Sequence, residues 1–110
     1  MSTPADIKLH SSLQVSQEGK ASAELSSGAE TALSGLILTA MKQVASDVAG
    51  QMSASTVSVS LDFTGEDFRG GAVDVECTVD RQTRTLIFMH AYVSTAGRHL
   101  LKATAIFRLS

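Results

Sequence analysis

The sequence predicts an α+β domain in which a curled antiparallel β-sheet wraps one long amphipathic helix. Three observations lead there. Residues 28–49 carry the only long helical periodicity in the chain. The segments on either side alternate apolar and polar residues with the period of two of half-buried strands. The connections between the later strands are short and rich in turn-forming residues, which suits antiparallel hairpins.

On a helical wheel, Leu33, Leu36, Ile37, Ala40, Met41, Val44 and Val48 share one face, and Thr31, Gly35, Leu38, Thr39, Lys42 and Ser46 share the other. Ser27-Gly28-Ala29-Glu30 has the spacing of a capping box, with the Ser27 hydroxyl accepting from a free amide and Glu30 reaching back. Glu30 also places negative charge at the positive end of the helix dipole. Gly50 supplies the left-handed residue that ends the helix. A helix of about 20 residues is about 30 Å long. One apolar face of that length needs a broad surface to lie on, and with no other helical segment that surface is a sheet. The back face is rich in small residues, among them Ser34 and Gly35. These suit a solvated face, and equally the close approach of a ligand or partner chain.

In chain order, residues 1–5 are expected to be loose. The odd positions Ile7, Leu9, Leu13 and Val15 predict a strand, Gln17-Glu18-Gly19-Lys20 a turn, and Ala21, Ala23 and Leu25 a second short strand. This hairpin leads into the helix. After a polar connector, Val57, Val59, Leu61 and Phe63 alternate with Ser58, Ser60 and Asp62, one face buried and the other wet. Residues 65–71 form a glycine-rich loop. Val73, Val75, Cys77 and Val79 face inward on the next strand, with Asp74, Glu76 and Thr78 outward. Beyond the turn at 80–84, the strand at 85–94 is apolar on both faces, with Ile87, Met89, Ala91 and Val93 against Leu86, Phe88 and Tyr92. Such a strand is central in its sheet or sits at an interface. A hairpin turn at 95–98 leads to a last strand with Leu101, Ala103, Ala105, Phe107 and Leu109 on one face.

A chain of 110 residues is expected to form one domain, over 1–110, and one this small gains from oligomerisation. A net charge of −2, one Tyr and no Trp predict no nucleic-acid partner and no membrane attraction. No apolar run approaches the roughly 18 residues of a membrane span, and the first residues lack the pattern of a secretory signal. The expectation is a soluble cytoplasmic protein. Cys77 is alone and shares parity with three valines, so it reads as a buried thiol. No histidine or cysteine pair at ligand spacing predicts a metal site.

The order of strands and turns in TVSVSLDFTGEDFRGGAVDVECTVDRQTRTLIFMHAYVSTAGRHLLKATAIFRL resembles the hotdog fold of acyl-CoA thioesterases, in particular the branch related to phenylacetate-degradation thioesterases. The likeness covers residues 25–110 and includes the R-x-x-R turn at Arg81 and Arg84, the Gly97-Arg98 turn and the closing A-x-F-R of Ala105 to Arg108. It implies a homodimer or tetramer with strands joined edge to edge and active sites between subunits. It also implies an acyl thioester substrate whose coenzyme A moiety stands in for any separate cofactor. Such relatives often carry His-Gly-Gly entering the central helix and an acid about two turns later. By length, Leu33-Ser34-Gly35 takes the place of that motif, with Lys42 where the carboxylate would stand. In a shifted register Ser26-Ser27-Gly28 takes it, and Gly35 falls at the acid position. Neither register supplies the acid.

Thioester hydrolysis needs an oxyanion donor and a base that activates water. A backbone amide at Gly28 or Gly35 suits the first role. For the second, the catalytic candidates are Glu30 and Lys42, although capping accounts for the first and simple solvation for the second. Ser34, Gly35 and Leu38 are candidates to line the substrate pocket. Arg81 and Arg84, with Arg98, are placed on hairpin turns where they would meet coenzyme A phosphates. His10, His90 and His99 fall on three separate strands, and His90 shares parity with Phe88 and Tyr92, which suits a structural histidine. The expected function is hydrolysis or binding of an acyl thioester at a subunit interface. The alternative is a non-catalytic acyl-binding or structural homo-oligomer. A dehydratase of the same fold is disfavoured because no histidine lies between Lys20 and Phe63.

Overall fold

The computed structural model describes residues 15–16 and 19–110. Five antiparallel strands and one helix follow in the order β1 (Lys20–Leu25), α1 (Glu30–Val48), β2 (Ala54–Phe63), β3 (Gly71–Gln82), β4 (Leu86–Thr95) and β5 (Arg98–Leu109). The sheet order is β1-β3-β4-β5-β2. The strand expected over residues 7–15, and the loose end at 1–5, lie outside the described residues apart from Val15. The second strand of that hairpin is β1, paired to β3 with Ala21 opposite Val75.

The helix lies on the inner face of the sheet. Leu36, Ile37, Ala40 and Met41 have no exposed surface, and Leu33 and Val44 are buried with them. They meet Val73, Val75 and Cys77 of β3, Ile87, Met89, Ala91 and Val93 of β4, and Leu101, Ala103, Ala105 and Phe107 of β5. Burying a large side chain of this kind is worth about 1.5–3 kcal/mol, so this one interface supplies the bulk of the apolar burial. β4 is the central strand, as its two-faced apolar pattern predicts. Its outward residues Leu86, Phe88 and Tyr92 are half-buried.

Four positions depart from the sequence pattern, among them Leu100, buried beside Leu101 because the β4–β5 register slips between Val93 and Ser94 and leaves Leu100 as the extra residue of β5. Val48, on the apolar side of the wheel, is 49% exposed, because a straight helix leaves a curled sheet at its last turn. Leu38, placed on the outer face, is half-buried against the core; a long helical side chain leans back over the preceding turn and reaches apolar neighbours there. Val57 is 50% exposed. The β2–β5 register slips between Thr56 and Ser58, so Val57 is the unpaired residue of a bulge and its side chain is lost to the inner face. Gly50 ends the helix with φ 75°, as expected. A second bulge, between Val79 and Arg81, turns both Asp80 and Arg81 to the outer face. There Asp80 accepts from or pairs with His90 Nδ1 at 2.8 Å, and the Arg81 guanidinium lies 5.8 Å from the Phe88 ring centre.

Replacing Phe107 by Ala removes a fully buried ring and is expected to cost about 3–5 kcal/mol in urea denaturation. Val57→Ser, at the exposed bulge, is expected to stay within about 0.5 kcal/mol of the parent.

Candidate functional site

The topology gathers one set of element ends at a single pole of the molecule. β1 ends and α1 begins there; β2 and β4 end there; β3 and β5 start there. Leu25 pairs with Gly71, and Phe63 pairs with Leu101. Between these ends lies a cavity of about 310 Å³ lined by Gly28, Glu30 and Leu33 from the helix entry, Phe63 from β2, Gly65, Glu66, Asp67 and Phe68 from the glycine-rich loop, and Leu100 from β5.

The helix entry is not the capping box expected from the sequence. Ser27 Oγ accepts a hydrogen bond from the Ala29 amide at 2.9 Å, a local turn that serves the residue two ahead. The N-cap is therefore Ala29, with ψ 145°, and no side chain caps the helix. The Ala29 carbonyl accepts from the amides of Ala32 and Leu33. Among the described residues, the amides of Glu30 and Thr31 have neither a backbone nor a side-chain partner, and they stand at the positive end of the dipole.

Gly28 is a glycine for steric reasons. A Cβ there would run into the backbone carbonyl of Phe68. The loop at 65–71 is thus pressed against the helix entry. Gly70, at φ 123°, passes close to the backbone of Leu25 and Ser26, with less crowding than at Gly28. At the other end of the loop the Thr64 hydroxyl donates to the His99 carbonyl at 2.8 Å, and the Thr64 amide donates to Leu100. The cavity wall is therefore tied to β1, α1 and β5.

The cavity carries three carboxylates. Glu66 Oε2 accepts from Arg98 Nη1 at 3.0 Å, and Asp67 stands 3.7 Å from Arg69 Nε. Glu30 is exposed in the first turn and, among the described residues, makes no ion pair.

The residues singled out from the sequence do not all come together. Glu30 and Gly28 share the cavity. Lys42 is exposed on the outer side of the helix, about 18 Å along it from Glu30 at 1.5 Å per residue. Ser34, whose hydroxyl donates to the Glu30 carbonyl at 2.7 Å, is half-buried on the helix with Gly35 and Leu38, outside the cavity lining. Arg81 and Arg84 stand at the opposite pole. Ten residues of extended β3 separate Gly71 from Arg81, about 33 Å. Arg98, the third turn arginine, is the one at the cavity, through Glu66. The walls Phe63, Phe68 and Leu100 were not legible as site residues, because the sequence shows them only as strand and loop apolar positions. The one available signal was the glycine density around Phe68.

Cys77 takes no part. It is buried on β3, and burial, with a smaller push from Glu76, raises its thiol from 9.0 to about 12. A thiol held protonated at neutral pH is not a nucleophile. No group of three or more metal-ligating side chains occurs among the described residues. No described helix is long and apolar enough to cross a membrane.

No family model and no curated protein matches the sequence. Solved structures do. A thioesterase-like phenylacetic acid degradation-related protein of Ralstonia eutropha superposes with TM-score 0.77 at 14% identity, over 98% of this chain and 92% of that one. A Bacillus halodurans protein solved with CoA gives 0.78 at 16%, over 99% and 80%. The PaaI protein of the Escherichia coli phenylacetic acid degradation operon gives 0.71 at 15%, over 84% and 74%. This is the hotdog fold. At such identities the likeness carries the fold alone and no residue role.

Two outcomes follow for this hotdog chain. Gly28→Ala forces the 65–71 loop off the helix entry and is expected to cost about 1–3 kcal/mol of stability, read by thermal or urea denaturation. The Cys77 thiol is neutral in the folded state to about pH 12 but ionises near 9.0 once unfolded. Its contribution is complete below pH 9 and is lost as pH rises beyond it, at up to about 1.4 kcal/mol per pH unit. Stability is expected to fall more steeply above pH 9 in the parent than in Cys77→Ala, with unfolding curves taken at pH 8 to 10.5.

Proposed function

We propose that this protein is an acyl-CoA thioesterase of hotdog type that works as a homo-oligomer. The observation that carries the reading is the cavity at the helix entry. Glu30, which lines it at the uncapped start of the helix, brings an unpartnered backbone amide and a carboxylate that makes no ion pair among the described residues, inside a fold shared with thioesterase-superfamily proteins. That amide suits the oxyanion that forms when water attacks a thioester carbonyl, since its dipole is fixed before the reaction begins. Glu30 is the base that takes the proton from that water, and the coenzyme A thiolate is the leaving group. Arg98, at the rim, is placed to meet coenzyme A phosphate at the expense of its pairing with Glu66. A Bacillus halodurans protein of the same fold was solved with CoA, which supports the ligand class.

Lys42 and the 34–38 stretch enter only through a second copy. Within one chain Lys42 is about 18 Å along the helix from Glu30, and Ser34, Gly35 and Leu38 lie outside the cavity lining. β2 is an edge strand, hydrogen-bonded in the described sheet to β5 alone, with Val57 exposed beside its open edge. An edge of ten residues with serine and threonine side chains is suited to pairing with the same edge of another protomer. Such pairing would bring the outer helix face, with Ser34, Gly35, Leu38 and Lys42, and the arginines Arg81 and Arg84, within reach of a neighbour's ligand.

A second reading has its own support. Two of the three cavity carboxylates are next to arginines, and neither register of the motif implied by the resemblance puts an acid at the expected place, which Lys42 takes in one and Gly35 in the other. That arrangement suits a protein that holds an acyl thioester without hydrolysing it.

The test is thiol release from acetyl-, phenylacetyl- and decanoyl-CoA by the purified protein. Turnover of at least one is expected, with kcat reduced about 100-fold in Glu30→Gln and KM little changed. Calorimetric binding of CoA esters with no turnover of any of them would favour the second reading.

A further inference from the structure

We infer that Phe68 sets the size of acyl group the cavity accepts, by closing its far wall with a ring the loop cannot withdraw. The inference rests on the thioesterase reading above and goes beyond it to the substrate's acyl portion. A cavity of about 310 Å³ is at the small end of ligand pockets. It holds a thioester and a compact acyl group, with the rest of coenzyme A left outside. Its apolar walls are Leu33, Phe63, Phe68 and Leu100, from four different segments. Three of them belong to α1, β2 and β5. Only Phe68 comes from a loop, and it packs half-buried against the core.

That loop would ordinarily be the adjustable part of the pocket. Here it is fixed. Its carbonyl at Phe68 sits where a Gly28 Cβ would be, Gly70 passes within close range of Leu25 and Ser26, and Thr64 anchors its start to β5. Gly65, Gly70 and Gly71 all have positive φ, so the loop's shape is built on conformations other residues rarely adopt. A loop held in this way does not retreat to admit a longer chain. Two aromatic rings, Phe63 and Phe68, face a volume suited to a flat or short acyl group, whereas a long alkyl chain meets the Phe68 ring.

The experiment compares the parent, Phe68→Ala and Phe68→Leu across straight-chain acyl-CoA esters from acetyl to dodecanoyl, with phenylacetyl-CoA alongside. Both kcat/KM and calorimetric binding of the matching hydrolysis-inert thioether analogues are measured. The parent is expected to favour phenylacetyl and short chains. In Phe68→Ala the optimum moves to longer chains, kcat/KM for decanoyl-CoA rises about tenfold and that for phenylacetyl-CoA falls about tenfold; one or two methylene-sized contacts are worth that much in an apolar pocket. Phe68→Leu, which keeps most of the packing volume, moves the optimum in the same direction by less, and serves if the alanine variant does not fold. A chain-length profile that keeps its shape in folded variants, all substrates scaled together, overturns the inference while leaving the thioesterase reading standing. A parent that neither hydrolyses nor binds any member of the series overturns both.

Discussion

The burial of one face of α1 against a curled sheet is the constraint from which the rest of this structure follows. The helix offers a continuous stripe from Leu33 to Val44, and three strands cover it with residues that have almost no exposed surface. A sheet that must bend around a rod brings its strand ends together at the rod's two ends. The site lies at one of those ends because the chain enters the helix there, and because β2 and β5 deliver Phe63 and Leu100 to the same pole. Core packing and site geometry are thus one problem with one solution.

The helix entry shows how a small local choice changes chemistry. Ser27 bonds to the amide of Ala29 instead of to the amides of the first turn. That hydroxyl shift leaves the helix uncapped, which costs stability, and it leaves the dipole's positive end, with the free amide of Glu30, beside a cavity. Nearby, the absence of a side chain at Gly28 lets the Phe68 carbonyl come close, so a loop becomes a wall. Stability is given up at the cap, and close packing is gained one residue away.

Two of the three bulges act in a related way on the outside of the sheet. At Val57 the bulge exposes an apolar residue at the open edge of β2; at Asp80 and Arg81 it sets two charged side chains on the same face. Asp80 then holds His90, and Arg81 covers Phe88. His90 therefore has a partner in a structural arrangement, as its parity with Phe88 and Tyr92 suggested. Both bulges break a strict period of two, which is why alternation alone misplaced Val57.

The sequence by itself determined the elements and most of their faces. The periods of 3.6 and two place Leu36, Ile37, Met41, Val75, Met89 and Phe107 inside without any knowledge of the fold, because a residue's face is fixed by its own element's geometry. The two-faced pattern of β4 likewise announced a central strand. Tertiary structure alone decided which ends meet. Glu30 and Gly28 share a cavity with Phe63, Phe68 and Leu100, while Arg81, Arg84 and Lys42 stand far from it within the chain. Proximity of residues distant in sequence depends on how the sheet curls and which poles its strands reach, and neither is written in any single segment. The cap at Ser27 was ambiguous for the same reason: the sequence places its hydroxyl near more than one amide, and in the fold it accepts from Ala29 beside the 65–71 loop packed against Gly28.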